Sequence, residues 1–284
     1  MTLPRDAVAL IEAALAEDIG AGDFTTLWTV PADRRAQATI VAKAPGVIAG
    51  SEVAEEVFRR VDPALQVEVA LGDGSSVAPG DVAMRISGSA RSILTAERTA
   101  LNFLQQLSGV ATVTRRYVSA IAGTGARVID TRKTTPGMRL LEKAAVVAGG
   151  GANHRVGLYD MVMIKDNHIA AAGGIMPAVE AVRVRNDRGL RVEVETTTLA
   201  EVGEALAARV DRVMFDNMAP AAMREAVALV AAAGAARPET EASGGITLET
   251  IRAFAETGVD FISVGALTHS APALDLSLRL RAER

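Results

Sequence analysis

The sequence predicts an α/β protein, an incomplete α/β (TIM-like) barrel with a smaller N-terminal α+β domain. After Gly123, short apolar strands alternate with helical stretches, which is typical of parallel βαβ units. Six such strands can be counted, too few for a full eight-stranded barrel, so an open doubly wound sheet is the alternative. Before Gly123, strands and helices are mixed without alternation, and 284 residues are enough for both parts.

The N-terminal part is predicted to begin with an amphipathic helix over residues 6–18, because its apolar residues recur at helical spacing. Ser51 is the expected N-cap of a second helix that reaches about Arg60. Strands are expected at 37–42, 65–70 and 82–86.

A long helical pattern runs from Ala90 to Ile121, and Gly109 inside it is expected to join two helices. The domain boundary is placed there, which gives an N-terminal domain of residues 1–108 and a barrel of residues 109–270. Barrel strands are predicted at 128–129, 161–164, 192–194, 213–215, 241–242 and 261–264. Barrel helices are predicted at 138–148, 199–207, 220–233 and 247–257.

Composition and charge exclude several classes of protein. The net charge of -4 gives no general attraction to nucleic acid or to an acidic membrane surface. The absence of cysteine excludes disulfides and thiolate chemistry. The first ten residues do not resemble a signal peptide, and no uncharged run could span a bilayer. We therefore expect a cytoplasmic protein without nucleic-acid or membrane partners.

Polar or glycine-rich residues follow every predicted barrel strand. Because the carboxyl ends of barrel strands build one active site, these residues are expected to lie together. In chain order they are Thr131-Arg132-Lys133, Lys165 with His168, Glu195, Asp216, Ser243-Gly244-Gly245 and Gly265-Ala266. Either of the last two loops alone would be better explained as a tight strand-to-helix turn, but the two together favour a phosphate site.

The cations at these strand ends indicate an anionic ligand. Arg132, Lys133, Arg155 and Lys165 would repel one another unless such a ligand bound among them. His154 lies in a donor-rich, flexible stretch and is therefore a candidate as well. Each of these cations could instead form a surface ion pair.

Two carboxylates, Glu195 and Asp216, can face the same cavity. They could hold Mg²⁺ together with substrate phosphates, bind ribose hydroxyls, or form structural salt bridges. Glu193 should point to the same side of its strand as Glu195, and it is expected to be a salt-bridge partner.

Several motifs in the right order resemble the quinolinate phosphoribosyltransferase family (nicotinate-nucleotide pyrophosphorylase, carboxylating). The resemblance covers nearly the whole chain. It rests on Thr-Arg-Lys-Thr-Thr-Pro-Gly at 131–137, Asn-His-Arg at 153–155, Ile-Lys-Asp-Asn-His at 164–168, and the segments 17–26, 97–102, 216–218 and 243–246.

The resemblance implies decarboxylating transfer of phosphoribose from phosphoribosyl pyrophosphate to quinolinate. It implies an open-sheet N-terminal domain, on which the tail 271–284 packs, and a homodimer in which Arg98 reaches the partner's site. The implied carboxylate contacts are Arg98, Arg132, His154 and Arg155, with Thr131 also binding substrate. The implied catalytic residues are Lys133, Lys165, Glu195 and Asp216, of which Glu195 and Asp216 would also bind Mg²⁺. The implied 5-phosphate contacts are Ser243, Gly244, Gly245, Gly265 and Ala266.

Three alternatives remain open. A paralogue with the same fold could use another acceptor, although the intact motifs at 153–155 and 164–168 argue against it. A Schiff-base aldolase could use Lys165 as its nucleophile. A non-catalytic sensor of a phosphorylated ligand would bind without turnover.

Overall fold

The computed structural model describes residues 3–283. Met1, Thr2 and Arg284, which belong to the predicted ranges 1–108 and 271–284, lie outside the described residues. The helices are α1 (Arg5–Ile19), α2 (Phe24–Thr29), α3 (Ser51–Val61), α4 (Ala90–Ala120), α5 (Arg139–Ala148), α6 (Asp166–Ala172), α7 (Ile175–Arg185), α8 (Leu199–Ala207), α9 (Pro220–Ala231), α10 (Ile251–Ala255) and α11 (Ala266–His269).

The strands are β1 (Arg35–Ala42), β2 (Gly46–Val47), β3 (Gln66–Val69), β4 (Ser76–Val77), β5 (Val82–Ser89), β6 (Arg127–Ile129), β7 (Val162–Ile164), β8 (Val192–Thr196), β9 (Arg212–Asp216), β10 (Glu239–Ser243), β11 (Phe261–Ser263) and β12 (Leu276–Ala282). Among residues 3–283, no helix combines the length and the apolar character needed to cross a membrane.

The chain forms two compact units. Unit 1 comprises the described residues within Met1–Arg115, Thr134–Gly150 and Leu267–Arg284. Unit 2 comprises Arg116–Lys133 and Gly151–Ala266. Residues 134–150 thus belong to unit 1, whereas the sequence analysis assigned them to the barrel domain.

Unit 1 contains a four-stranded antiparallel sheet with the order β12-β1-β5-β3. Alternate residues of β1, namely Ala36, Ala38 and Ile40, are buried, so one face of the strand contributes to the core of this unit. Helices α1 and α3 contact each other and bury Ile11 and Val57 in the same unit.

The predicted joint at Gly109 is wrong, because α4 continues without a break from Ala90 to Ala120. The glycine meets a packing requirement instead. A Cβ at this position would lie 2.1 Å from the carbonyl oxygen of Pro272 and 3.1 Å from the Cα of Ala273. The main chain before β12 therefore passes directly over a helical position where a side chain has no room.

The predicted N-cap of α3 is also displaced by one residue. Gly50, with φ of 88°, is the N-cap, and Ser51 is the first helical residue. The carboxylate of Asp73 supplies the capping oxygen atoms, because it accepts hydrogen bonds from the main-chain N–H groups of Gly50 and Ser51, each at 2.9 Å.

Unit 2 contains the six predicted strands as one parallel sheet with the order β6-β11-β10-β9-β8-β7. From β7 to β11, strands that follow each other in the chain are neighbours, and the last strand, β11, pairs with the first, β6. This is the strand order of a barrel that is open between β6 and β7, since a doubly wound sheet would reverse direction along its width. The incomplete barrel predicted from the sequence is confirmed.

Candidate active site

One face of the unit 2 sheet is apolar and the other is charged. Val194, Val213 and Ala242 alternate with polar residues along their strands and are fully buried. The opposite face carries two layers of in-register neighbours. They are Glu193, Arg212 and Glu239, followed toward the carboxyl ends by Glu195, Met214 and Glu241. Asp216 and Ser243 pair in register at the carboxyl ends themselves.

Lys165 and Glu195 form an ion pair at this end of the sheet. Lys165 follows β7, and its Nζ lies 2.6 Å from Oε2 of Glu195. The lysine side chain remains 44% exposed, so it can also contact a ligand. Its main-chain N–H donates to Nδ1 of His168 at 3.0 Å. His168 therefore helps to orient this loop.

Asp216 ends β9 next to a tight glycine turn. Asn217, with φ of 55°, donates from Nδ2 to Oδ2 of Asp216 at 2.6 Å and from its main chain to the carbonyl of Ser243 at 2.9 Å. Gly244 has φ of 98°, and a Cβ there would lie 2.2 Å from Oδ1 of Asn217. The close approach of Asn217 to the main chain thus requires glycine at position 244, whereas an added Cβ at Gly245 would meet no atom within 4 Å.

The remaining glycine loop follows β11. Gly265 comes after the end of the strand, and Ala266 is the first residue of α11. Both residues are half-buried. The two predicted phosphate loops therefore end the adjacent strands β10 and β11.

Arg132 and Arg155 form a cationic pair in unit 2. Burial lowers the pKa of Arg155, and the nearby positive charge of Arg132 lowers it further. Arg155 donates from Nη1 to the carbonyl of Met161 at 3.2 Å. Two guanidinium groups that act on each other electrostatically favour an anionic ligand, and their planar forks suit carboxylates. Thr131 supports the same loop, because its Oγ1 accepts from the N–H of Lys133 at 3.1 Å.

The His154 ring faces into the sheet rather than toward solvent. Its side chain is only 4% exposed, and Nε2 lies 3.1 Å from Glu193 and 3.3 Å from Glu241. Nδ1 of the ring accepts a hydrogen bond from the main-chain N–H of Arg155 at 2.6 Å. The main-chain N–H of His154 donates to Oδ1 of Asp130 at 2.8 Å. The expectation that Glu193 is a salt-bridge partner is confirmed. The ring nitrogens, expected to hold substrate, are engaged by protein groups.

The cluster retains a proton at neutral pH. Burial alone would lower the pKa of His154, but the two carboxylates raise it to about 9. Burial and the charge of Glu241 raise the pKa of Glu193 to about 7. His154 and Glu193 titrate together, so these two pKa values belong to the pair rather than to either group alone.

The same three side chains could in principle hold a metal ion. Ligand atoms of His154, Glu193 and Glu241 lie within 4.8 Å of one another. However, Nε2 already lies within ion-pair distance of both carboxylates, and Arg212 donates from Nη1 to Glu241 at 3.1 Å. An ion would have to displace these contacts. Sequence reasoning gave no role to Glu241 or Arg212, although alternation along β10 places Glu241 on the same face as Ser243.

Arg98 lies in unit 1, on α4, and is exposed. Its neighbour Glu97 is half-buried, and burial raises the pKa of Glu97 against the opposing charge of Arg98. The other candidate residues all lie in unit 2. They are Thr131, Arg132, Lys133, His154, Arg155, Lys165, Glu195, Asp216, Ser243, Gly244, Gly245, Gly265 and Ala266.

Comparisons with known proteins agree over nearly the whole chain. Residues 110–279 match the family model "Quinolinate phosphoribosyl transferase, C-terminal domain", and residues 23–108 match the corresponding N-terminal domain. A rice protein named "Nicotinate-nucleotide pyrophosphorylase [carboxylating], chloroplastic" is 46% identical over 98% of this chain and 78% of its own length. A protein of Synechocystis with the name "Probable nicotinate-nucleotide pyrophosphorylase [carboxylating]" is 48% identical over 94% of this chain and 90% of its own. The crystal structure of NadC from Streptococcus pyogenes is similar with a TM-score of 0.95 and 41% identity, covering 100% of this chain and 99% of that one.

Proposed function

This chain belongs to the quinolinate phosphoribosyltransferase family, and we propose from this premise which of its residues perform the reaction. It is a pentosyltransferase of NAD biosynthesis. It transfers phosphoribose from phosphoribosyl pyrophosphate to quinolinate and releases pyrophosphate and CO2 to give nicotinate mononucleotide.

The observation that carries the residue assignment is the pairing of cations and acids at one end of one sheet. Arg132 and Arg155 form a doubly positive group that suits the two carboxylates of quinolinate. Thr131 closes the same loop by a hydrogen bond. His154 lies directly before Arg155, and we propose that it supports this binding by accepting the main-chain N–H of Arg155. Lys133, at the end of the Arg132 loop, would face the pyrophosphate.

The first step breaks the bond between C1 of the ribose and the pyrophosphate oxygen. An oxocarbenium-like state forms, and the ring nitrogen of quinolinate attacks C1 with its lone pair. Lys165 would neutralise negative charge on the leaving pyrophosphate, since its side chain is half exposed while Glu195 fixes it at 2.6 Å. Glu195 and Asp216 would hold the ribose hydroxyls and fix C1 in line with the attacking nitrogen.

The second step breaks the bond between C2 of the pyridinium and its carboxylate carbon. The electron pair remains at C2, where the adjacent positive nitrogen stabilises it, and a proton then replaces CO2. Arginine side chains that release one carboxylate and retain the other would hold the ring in place. The glycine loops Ser243-Gly244-Gly245 and Gly265-Ala266 would bind the 5-phosphate through main-chain N–H groups.

We also propose Mg²⁺ as a cofactor, held by Glu195 and Asp216. One oxygen of each carboxylate is engaged, Oε2 of Glu195 by Lys165 and Oδ2 of Asp216 by Asn217. The second oxygen of each remains as a hard ligand of the kind that Mg²⁺ prefers. When bound with substrate phosphates, the ion would neutralise charge on the pyrophosphate.

A homodimer that shares Arg98 is supported by an apolar patch beside α4. Three large side chains of α2 are exposed, Phe24 by 50%, Leu27 by 46% and Trp28 by 80%. Arg91 of α4 donates to the carbonyls of Val30 and Leu27 and so ties this patch to the helix that carries Arg98. A second copy of the chain would cover the patch.

Mixing two inactive variants tests whether Arg98 acts across the interface. If it does, subunits with Arg98→Ala and subunits with Arg132→Ala combine into dimers in which one site has both residues intact. Random reassembly then restores about a quarter of the wild-type activity. If Arg98 acts within its own subunit, the mixture stays inactive, and the shared-site proposal is wrong.

The reaction itself is tested with purified protein, quinolinate, phosphoribosyl pyrophosphate and Mg²⁺, by following CO2 and nicotinate mononucleotide. Nicotinate serves as the control acceptor. Binding of phosphoribosyl pyrophosphate without turnover of quinolinate would indicate a different acceptor. Omission of Mg²⁺ tests the cofactor, and fractionation of cells tests the cytoplasmic location that we propose.

A further inference from the structure

Two buried glutamates on the inner face of the unit 2 sheet have no part in the proposed reaction. The side chains of Glu193 on β8 and Glu241 on β10 are both 0% exposed. Barrel interiors are usually filled by branched apolar side chains, and a buried carboxylate is costly unless it has a partner. The contact that these two share is Nε2 of His154, at 3.1 and 3.3 Å.

The His154 ring links these carboxylates to the main chain of Arg155. The two carboxylates flank Nε2, and in this ring orientation Nδ1 accepts the N–H of Arg155 at 2.6 Å. Asp130 holds the main chain of His154 from the other side at 2.8 Å. A rotation of the ring would therefore release the main chain from which the Arg155 side chain extends.

One oxygen of Glu241 contacts both the ring and Arg212. Oε2 lies 3.3 Å from Nε2 of His154 and accepts from Nη1 of Arg212 at 3.1 Å, while Nη2 of Arg212 donates to Glu239 at 2.9 Å. The guanidinium of Arg212 also lies over the Phe261 ring, 4.2 Å from its centre. Glu241 thus contacts both the imidazole of His154 and the guanidinium of Arg212 in a buried environment.

We infer that Glu193 and Glu241 are positioning residues of the quinolinate site, which hold the His154 ring through Nε2 and thereby fix the main chain of Arg155. This inference rests on the proposed function, in which Arg155 binds a carboxylate of quinolinate. The loss of either glutamate charge should therefore weaken the binding of the dicarboxylate far more than the binding of phosphoribosyl pyrophosphate.

Glu239 provides a matched control. It lies on the same strand as Glu241, two residues earlier, and contacts the same Arg212. However, its side chain is 37% exposed, and its ion pairs are with Arg191 and Arg212 rather than with His154. A Glu239→Gln variant loses a charge from the same network without releasing the ring.

The experiment compares wild-type protein with Glu241→Gln, Glu193→Gln and Glu239→Gln. Calorimetry measures the Kd of quinolinate, and steady-state kinetics give KM for both substrates. For Glu241→Gln and Glu193→Gln we expect the Kd and KM of quinolinate to rise on the order of tenfold, since a buried carboxylate charge that faces Nε2 is lost. The KM of phosphoribosyl pyrophosphate should change by less than about twofold, as should every constant of Glu239→Gln.

A quinolinate affinity that is the same in Glu241→Gln and Glu193→Gln as in Glu239→Gln and the wild type would overturn the inference. So would parallel rises of both KM values together with a lower Tm, because that result describes a general loss of structure. If Glu241→Gln does not fold, Glu193→Gln decides the question alone. Wild-type protein that binds quinolinate but does not turn it over refutes the proposed reaction while the binding comparison still tests the inference. Wild-type protein that binds no quinolinate refutes both.

Discussion

Replacement of Gly109 by alanine should destabilise the protein although alanine is the better helix former. In an open helical position, this change would stabilise by about 1 kcal/mol. Here the new Cβ would lie 2.1 Å from the Pro272 carbonyl oxygen. Carbon and oxygen normally approach no closer than about 3.3 Å, so the main chain would have to move by roughly 1 Å.

The neighbouring hydrogen bonds make this movement costly. Gln105 accepts from the N–H of Leu274 at 2.9 Å and donates from Nε2 to the carbonyl of Leu276 at 2.8 Å. Overpacking that displaces main chain costs about 1–3 kcal/mol or more, so we expect a net loss of about 2 kcal/mol for Gly109→Ala. Gly203→Ala is the matched control, because Gly203 lies in α8 and has nothing within 4 Å of its added Cβ. It should gain about 0.5–1 kcal/mol.

Urea unfolding followed by circular dichroism measures both changes, and hydrogen exchange of β12 locates the first. Gly109→Ala should lower the midpoint and accelerate exchange in residues 276–282, whereas Gly203→Ala should raise the midpoint and leave that exchange unchanged. If both variants shift the midpoint upward, or if β12 remains as protected as in the wild type, the close approach to Pro272 does not govern this position.

Three further changes have defined outcomes. Arg132→Ala should raise the KM of quinolinate by at least about tenfold, and an unchanged kcat and KM would remove Arg132 from the site. Gly244→Ala should abolish turnover, because Gly244 has φ of 98° and the added Cβ would lie 2.2 Å from Oδ1 of Asn217. Full activity of this variant would show that the loop can rearrange freely. Burial raises the pKa of Asp260, but Arg237, at 2.7 Å, and hydrogen bonds lower it below 3.8 overall. Asp260→Asn should therefore lower the free energy of unfolding by about 1 kcal/mol at pH 7. The difference from the wild type should disappear as the pH falls below 3.8, because Asp260 is then protonated in the folded as well as the unfolded state. A difference that persists at pH 2 would contradict this.

The strands of the barrel were predictable because short apolar or alternating stretches, such as Val-Met-Ile in β7 and Val-Glu-Val in β8, are followed by polar strand ends. Buried parallel strands need no alternation to be recognised when helices separate them. The two-residue strands β2 and β4 are too short to give any pattern. Strand β12 does alternate, as Leu-Ser-Leu-Arg-Leu-Arg, and this period of two was available but unused.

Helices α6 and α7 escaped prediction for a different reason. Gly173 and Gly174 separate them. Helix α6 has only seven residues and begins with three polar ones, and Pro177 is the third residue of α7, where it obscures the helical pattern. Gly109 shows the general limit. A glycine within a helical pattern reads as a break unless it is known that Pro272, distant in the chain, lies against it.

The residues at the strand ends were predictable, but the burial of His154 beneath them was not. Each polar strand end could be read from the chain, since exposed carboxyl ends of parallel strands meet. The environment of His154 could not. Whether its ring meets substrate or the carboxylates of Glu193 and Glu241 depends on the register of β8 and β10, which sequence spacing leaves undetermined.

The pairing of β12 with β1 has a consequence for synthesis. Strand β1 leaves the ribosome early, yet its second neighbour consists of residues 276–282, so one of its edges stays without a partner while some 230 residues are added. The unit 2 sheet needs no residue beyond 263 and can close its own ladder before that neighbour arrives. The nascent chain therefore has a period in which β1 is open to pairing with other strands, and this period ends only when residues 276–282 emerge.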